Sequence, residues 1–137
     1  MLAPLGCGGP PLEPLTLPPV DGGPVCGAPH GTYAATFTLR ETHGDCSAAK
    51  PVSHDPMQFD AAGHYRSPLA SLIECETVQS GCRIAVRCTS DAIQNARADL
   101  DATLDPEATT LTGTGIVTGS YAGCQEVVYD VVAIREE

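Results

Sequence analysis

Two stretches decide the fold: Cys82-Arg83-Ile84-Ala85-Val86-Arg87-Cys88 and Arg97-Ala98-Asp99-Leu100-Asp101-Ala102-Thr103-Leu104. In the first, Cys82, Ile84, Val86 and Cys88 fall on one side of an extended chain, and Arg83 and Arg87 on the other. In the second, Ala98, Leu100, Ala102 and Leu104 face one way, and Asp99, Asp101 and Thr103 the other. An alternation of period two is the mark of a half-buried strand. Asp105-Pro106-Glu107 follows, with Asp and Pro at the first two positions of a type I turn.

Working outward, Thr109–Thr118 returns as a Thr/Gly strand and Gly119–Gly123 turns again. Cys124–Arg135 is the most β-branched segment, with Val127, Val128, Val131, Val132 and Ile134. Toward the N-terminus, Gln79-Ser80-Gly81 is a turn signal. His64–Glu76 reads as one longer strand bent near Pro68, and Met57–Phe59 as a short strand. Gly31–Arg40 places Tyr33, Ala35, Phe37 and Leu39 on one face and Thr32, Thr36 and Thr38 on the other. No segment carries a helical period. The expectation is an all-β fold, an antiparallel meander of about seven strands. A flat sheet of that width exposes two edges and an apolar face, so it should curl into a small barrel or flattened barrel. Gly113 and Gly115 alternate on one face, where a tightly curved wall needs small residues or a bend.

Eight of the twelve prolines and seven of the fourteen glycines lie in the first 31 residues. Proline fixes φ and removes a backbone donor, so this stretch can hold neither a helix nor a central strand. Residues 1–30 are expected to be an extended tether, and residues 31–137 the β domain. Deleting residues 1–25 should then leave stability unchanged.

Seven cysteines, Cys7, Cys26, Cys46, Cys75, Cys82, Cys88 and Cys124, are many for a reducing cytosol. No C-x-x-C pair occurs, which argues against a zinc ribbon and for disulfides. The six after Cys7 are expected to be oxidised, and six cysteines allow 15 connectivities. With seven strands, Cys46, Cys75 and Cys82 fall near one end and Cys26, Cys88 and Cys124 near the other. Three cannot pair completely within an end. Either one bridge spans the domain or the strand count is off by one. Cys88–Cys124 is the favoured pair.

The net charge is −10 and Lys50 is the only lysine. Nucleic acid needs a basic footprint, which this chain lacks. Anionic headgroups are excluded as direct partners for the same reason, so a membrane is reached only through a lipid anchor. No apolar run is long enough to be a transmembrane helix.

Catalytic signatures are missing. Gly119-Ser120-Tyr121-Ala122-Gly123 sets its serine in the wrong place for a nucleophile elbow, and no helix follows. Asp99, Asp101 and Asp105 read as a solvated acidic face. His30, His43, His54 and His64 form no chelating pair on one element, so no metal and no cofactor are expected. If a metal does bind, His43, Asp45, His54 and Asp55 are the first residues to test.

Leu5-Gly6-Cys7-Gly8-Gly9 resembles the end of a bacterial lipoprotein signal, in which a small residue precedes the cysteine that receives lipid. That makes Cys7 the expected lipidation site and leaves six cysteines to pair. Gly31-Thr32-Tyr33, Gly44-Asp45-Cys46, the Cys75/Cys82/Cys88 cluster and Gly123-Cys124 followed by Tyr129-Asp130-Val131 resemble a group of small, cysteine-rich, uncharacterised bacterial lipoproteins. The resemblance implies a lipocalin-like or similar small β fold on the cell envelope, and the expected location is the bacterial envelope, as an outer-membrane lipoprotein facing the periplasm or the surface, or outside the cell as a secreted protein. It implies no activity.

The expected function is that of a non-enzymatic envelope protein presenting a surface to a protein partner or to itself. Arg83 and Arg87 are the expected contact residues. The alternatives are a small-ligand carrier that uses the barrel interior and an inhibitor of a secreted hydrolase. A packed interior excludes the carrier, whereas an apolar cavity of roughly 300 Å³ or more favours it.

Overall fold

A computed structural model describes residues 14–19, 25–67, 73–90, 96–119 and 123–136. These form eight strands: β1 (Gly31–Gly44), β2 (Val52–Phe59), β3 (Tyr65–Arg66), β4 (Ile73–Ser80), β5 (Arg83–Ser90), β6 (Arg97–Leu104), β7 (Thr110–Thr118) and β8 (Cys124–Arg135). No helix occurs among the described residues. All neighbours are antiparallel, in the order β3-β2-β1-β8-β7-β6-β5-β4. The last strand pairs with the first along most of its length, from Tyr33↔Arg135 to Gly44↔Cys124. The result is a nearly closed barrel whose seam lies between β3 and β4. The Tyr65 N–H crosses that seam and donates to Thr77 Oγ1 at 2.9 Å.

The count is eight because the expected bent strand His64–Glu76 is two strands, β3 and β4. The chain leaves β3 at Ser67, the residue before Pro68, and proline restricts its predecessor and cannot donate to a ladder. β4 then runs on through Gln79 and Ser80 to a tight turn at Gly81-Cys82, where Ser80 pairs with Arg83. Gly81 takes φ +61°, a conformation that glycine adopts without strain.

The extra strand reverses every strand after it and changes where the cysteines gather. Cys26 and Cys82 meet at the end where β1 begins, while Cys46, Cys75, Cys88 and Cys124 lie toward the other. Two and four can pair completely. The bonds are Cys26–Cys82, Cys46–Cys124 and Cys75–Cys88. The favoured pair Cys88–Cys124 is therefore corrected: Cys88 lies directly across the β4–β5 ladder from Cys75.

β1 is longer than its alternation suggests because of a bulge. Leu39 faces Tyr129 and Glu41 faces Val128, leaving Arg40 as the extra residue. Arg40 and Glu41 both turn outward, and Arg40 bonds Asp130 at 2.6 Å and Thr114 at 2.8 Å on the outer face. β2 begins at Val52, ahead of the Met57–Phe59 expected. Pro56 is tolerated there because β3 pairs only with Gln58 and Phe59, which leaves the proline's side of β2 without a ladder to break.

The end where β1 begins is packed solid. Tyr33, Met57, Phe59, Ile84, Leu104 and Leu111 fill it, with Cys26 and Ala108 in the same cluster. Each large apolar side chain buried there contributes roughly 1.5–3 kcal/mol. Tyr33, Ile84 and Leu111 are fully buried. The Tyr33 hydroxyl donates to the Ala108 carbonyl at 2.5 Å. Rings stack edge-on from Tyr33 to Phe59 to Tyr65, which seats the two-residue β3 against the core. On β7, a Cβ at Gly113 would strike the β6 backbone at Asp101 and Ala102, so the strands approach more closely there than a side chain allows.

The Pro-rich segment is joined to this barrel. Cys26 is disulfide-bonded and Pro29 is fully buried. Farther upstream, half-buried Leu15 and Leu17 share a groove on the outer face with Ala85, Thr114 and Ile116. Ser80 Oγ donates to the Pro18 carbonyl at 2.8 Å. Cys7 lies outside the described residues.

Candidate functional site

The opposite end of the barrel is hollow. A cavity of about 300 Å³ opens there, walled by Phe37 (β1), Val86 and Cys88 (β5), Ala98 and Leu100 (β6), Gly115 and Val117 (β7) and Tyr129 (β8). Met57 and Tyr65 line it too, and Ser53 and Asp55 of β2 give it a polar side. The register explains the lining. Ala35↔Asp55 and Phe37↔Ser53 are direct pairs, so both β2 polar residues share the inward face that Met57 and Phe59 use farther along.

Small residues leave the space. Ala98 and Gly115 stand where larger side chains would close it, and a Cβ at Gly115 would already press Val131 Cγ2 at 3.3 Å. Phe37 and Tyr129 meet edge-on with ring centroids 6.1 Å apart, forming one firm wall. Burial pushes the Tyr65 phenol above the ordinary tyrosine range, and the negative charge of Asp55 adds to the effect. Asp55 itself is exposed at the mouth. Its carboxylate has no hydrogen bond or ion pair to any described residue.

The other expected site residues lie elsewhere. His43 sits outward on β1, 2.7 Å from Glu41 and 3.6 Å from Glu126. The Asp45 carboxylate accepts from its own turn at Ser47. His54 faces outward and meets Thr36 Oγ1 at 3.2 Å, whereas Asp55 faces inward. The structure does not bring these four together, and no group of three or more metal-binding side chains occurs among the described residues.

Arg83 and Arg87 are engaged within the sheet. Arg83 grips both oxygens of Asp101 at 3.0 and 2.7 Å, and Arg87 reaches Asp99 at 3.2 Å beside Arg97 at 2.6 Å. The hydrogen bonds from Arg83 hold the Asp101 carboxyl below its usual range. Asp105 is held low by the Thr109 hydroxyl and by the backbone N–H groups of its own turn.

Sequence reasoning offered a barrel-interior carrier as an alternative but did not place the cavity, because Phe37 and Leu100 read as ordinary inward-facing residues. The available signal was the same-face run Ser53, Asp55, Met57, Phe59, which sets two polar residues on an inward face opposite Ala98 and Gly115. Chemically, the cavity offers apolar and aromatic surface, a carboxylate and two kinds of hydroxyl. No histidine or lysine lines it among the described residues. No protein family, curated protein or solved structure matches this chain.

Proposed function

We propose that this protein is a non-enzymatic carrier that binds one small, largely apolar molecule in the open end of its barrel. The observation that carries this reading is the cavity of about 300 Å³ with a mainly apolar wall. Ligand pockets run upward from about that size, with apolar linings and a few placed polar groups. An eight-stranded barrel is just wide enough to be filled by side chains or to hold one small ligand. At the roughly 30 Å³ that one water occupies in the liquid, the space suits on the order of ten non-hydrogen atoms.

The three disulfides suit an oxidising compartment. The Cys7 motif and the cysteine-rich lipoprotein resemblance extend the reading to a bacterial envelope protein anchored by lipid on Cys7. A second reading, display of a surface for self-association or a protein partner, is supported by Val132 and Ile134. Both are large apolar residues left exposed on the outer face of β8. Concentration-dependent sedimentation that a Val132→Ser/Ile134→Ser variant abolishes would favour it.

Indole titration followed by NMR tests the carrier. Chemical shifts should move at Leu100, Val117 and Tyr129, and Ala98→Phe, which fills the cavity, should abolish the movement while the barrel stays folded. Saturable binding that Ala98→Phe leaves unchanged would remove the cavity from the function.

A further inference from the structure

Among the described residues, Asp55 is the one carboxylate lining the cavity that has no hydrogen bond or ion pair. Asp99 also reaches the lining, but Arg87 and Arg97 already engage it. The other described arginines are held elsewhere: Arg40 by Asp130, Arg66 by Asp60, Arg83 by Asp101, and Arg135 next to His30. Lys50 makes no ion pair among the described residues.

A carboxylate facing an apolar chamber loses part of its hydration when that chamber fills. A neutral or anionic occupant offers it nothing in return, whereas a cationic one restores a charge-assisted hydrogen bond. The rings lining the same chamber, Phe37, Tyr65 and Tyr129, favour the same sign, because an aromatic face attracts a cation. A net charge of −10 raises the local concentration of small cations around the whole protein.

We propose that the ligand is a small organic cation, an ammonium group on a short aromatic or alkyl body, with its charge on Asp55 and its body against Phe37, Leu100 and Tyr129. This rests on the carrier reading and narrows it to a chemical class. Tyr65 supports the same placement. Its phenol stays protonated across the physiological range and so can donate to Asp55 or turn its ring to the ammonium.

The test uses three probes of one shape: 2-phenylethylammonium, 2-phenylethanol and phenylacetate. Each is titrated by NMR and calorimetry into the wild-type protein and into Asp55→Asn. Asp55 is exposed and makes no hydrogen bond or ion pair among the described residues, so the substitution should leave the melting temperature unchanged. The ammonium should bind roughly tenfold or more tighter than the alcohol, and phenylacetate the weakest of the three. Asp55→Asn should bring the ammonium down to the level of the alcohol while leaving the alcohol where it was. Equal binding of ammonium and alcohol, or a preference that survives Asp55→Asn, overturns the cation proposal and leaves the carrier reading standing. No binding of any probe, together with no response to indole, overturns both.

Discussion

Removing the Cys26–Cys82 bond with Cys26→Ser/Cys82→Ser should cost far more than deleting the Pro-rich chain before it. The two cysteines are 56 residues apart. Closing a loop of that length in the unfolded chain removes about 14 cal/mol/K in the chain-entropy treatment, or about 4 kcal/mol at 25 °C. The same treatment gives about 3 kcal/mol for Cys75–Cys88, whose separation is 13. Deleting residues 1–25 keeps the bond and loses, among the described residues, the partial cover of Leu15 and Leu17 on the outer face and the exposed Ser80–Pro18 hydrogen bond, about 1–2 kcal/mol in all. For a domain of this size the double variant should melt roughly 15 °C lower, and the deletion about 5 °C lower. Thermal and urea unfolding would measure both, with mass spectrometry under non-reducing conditions confirming that the other two bridges persist. A double variant that loses less than about 1 kcal/mol, or a deletion that costs more than it does, would refute the view that Cys26 is where the chain joins the barrel.

Two other outcomes follow from the packed end of the barrel. Tyr33→Phe leaves the Ala108 carbonyl without its donor and should cost about 1–3 kcal/mol in urea unfolding, with the m-value unchanged. Asp105 is held below its ordinary range by Thr109 and Thr110, so its ionised form adds stability above the unfolded value near 4, and that contribution is lost as pH falls through the lower folded value. Melting temperatures taken between pH 7 and pH 2 should therefore fall less steeply for Asp105→Asn than for wild type. Parallel curves would show that the turn does not carry this effect.

Strand faces were legible where one residue in two is apolar, and β5, β6 and the start of β1 follow the sequence pattern closely. The strand count was not, because His64–Glu76 keeps its alternation across Pro68 and gives no sign of a reversal. That single miss also misplaced the cysteines. Inverting the direction of β5 to β8 moves Cys82 to one end and Cys88 and Cys124 to the other, which turns an odd three-and-three into a complete two-and-four. The bulge at Arg40 hid the second half of β1 in the same way, since Arg40 and Glu41 both face outward and break the period. Of the cavity residues, Phe37, Leu100 and Gly115 were read as wall and Asp99 as a solvated face, and only Asp55 was named as a possible ligand, for a metal. The inward direction of Asp55 follows only once β2 is extended back from Met57 and Phe59 through Pro56, a residue that argues against a strand.

Why the barrel is solid at one end and hollow at the other follows from which residue sizes meet across it. At the packed end, Tyr33 and Phe59 on one side meet Ile84, Leu104 and Leu111 on the other, and large residues on both walls close the middle. At the open end, the aromatic pair Phe37 and Tyr129 stands on the neighbouring strands β1 and β8, with Met57, Tyr65, Val86, Leu100 and Val117 elsewhere around the wall. Between them come the small residues Cys88, Ala98 and Gly115, the last directly beside Tyr129, and Ser53 and Asp55 on β2 next to a third strand only two residues long. The small residues leave a gap among the large ones. Keeping such a gap forfeits packing that a Leu at position 98 would supply, at about 0.8 kcal/mol per buried methylene. The proposed carrier reading gives that forfeited packing a use, because a filled interior would leave a ligand no room.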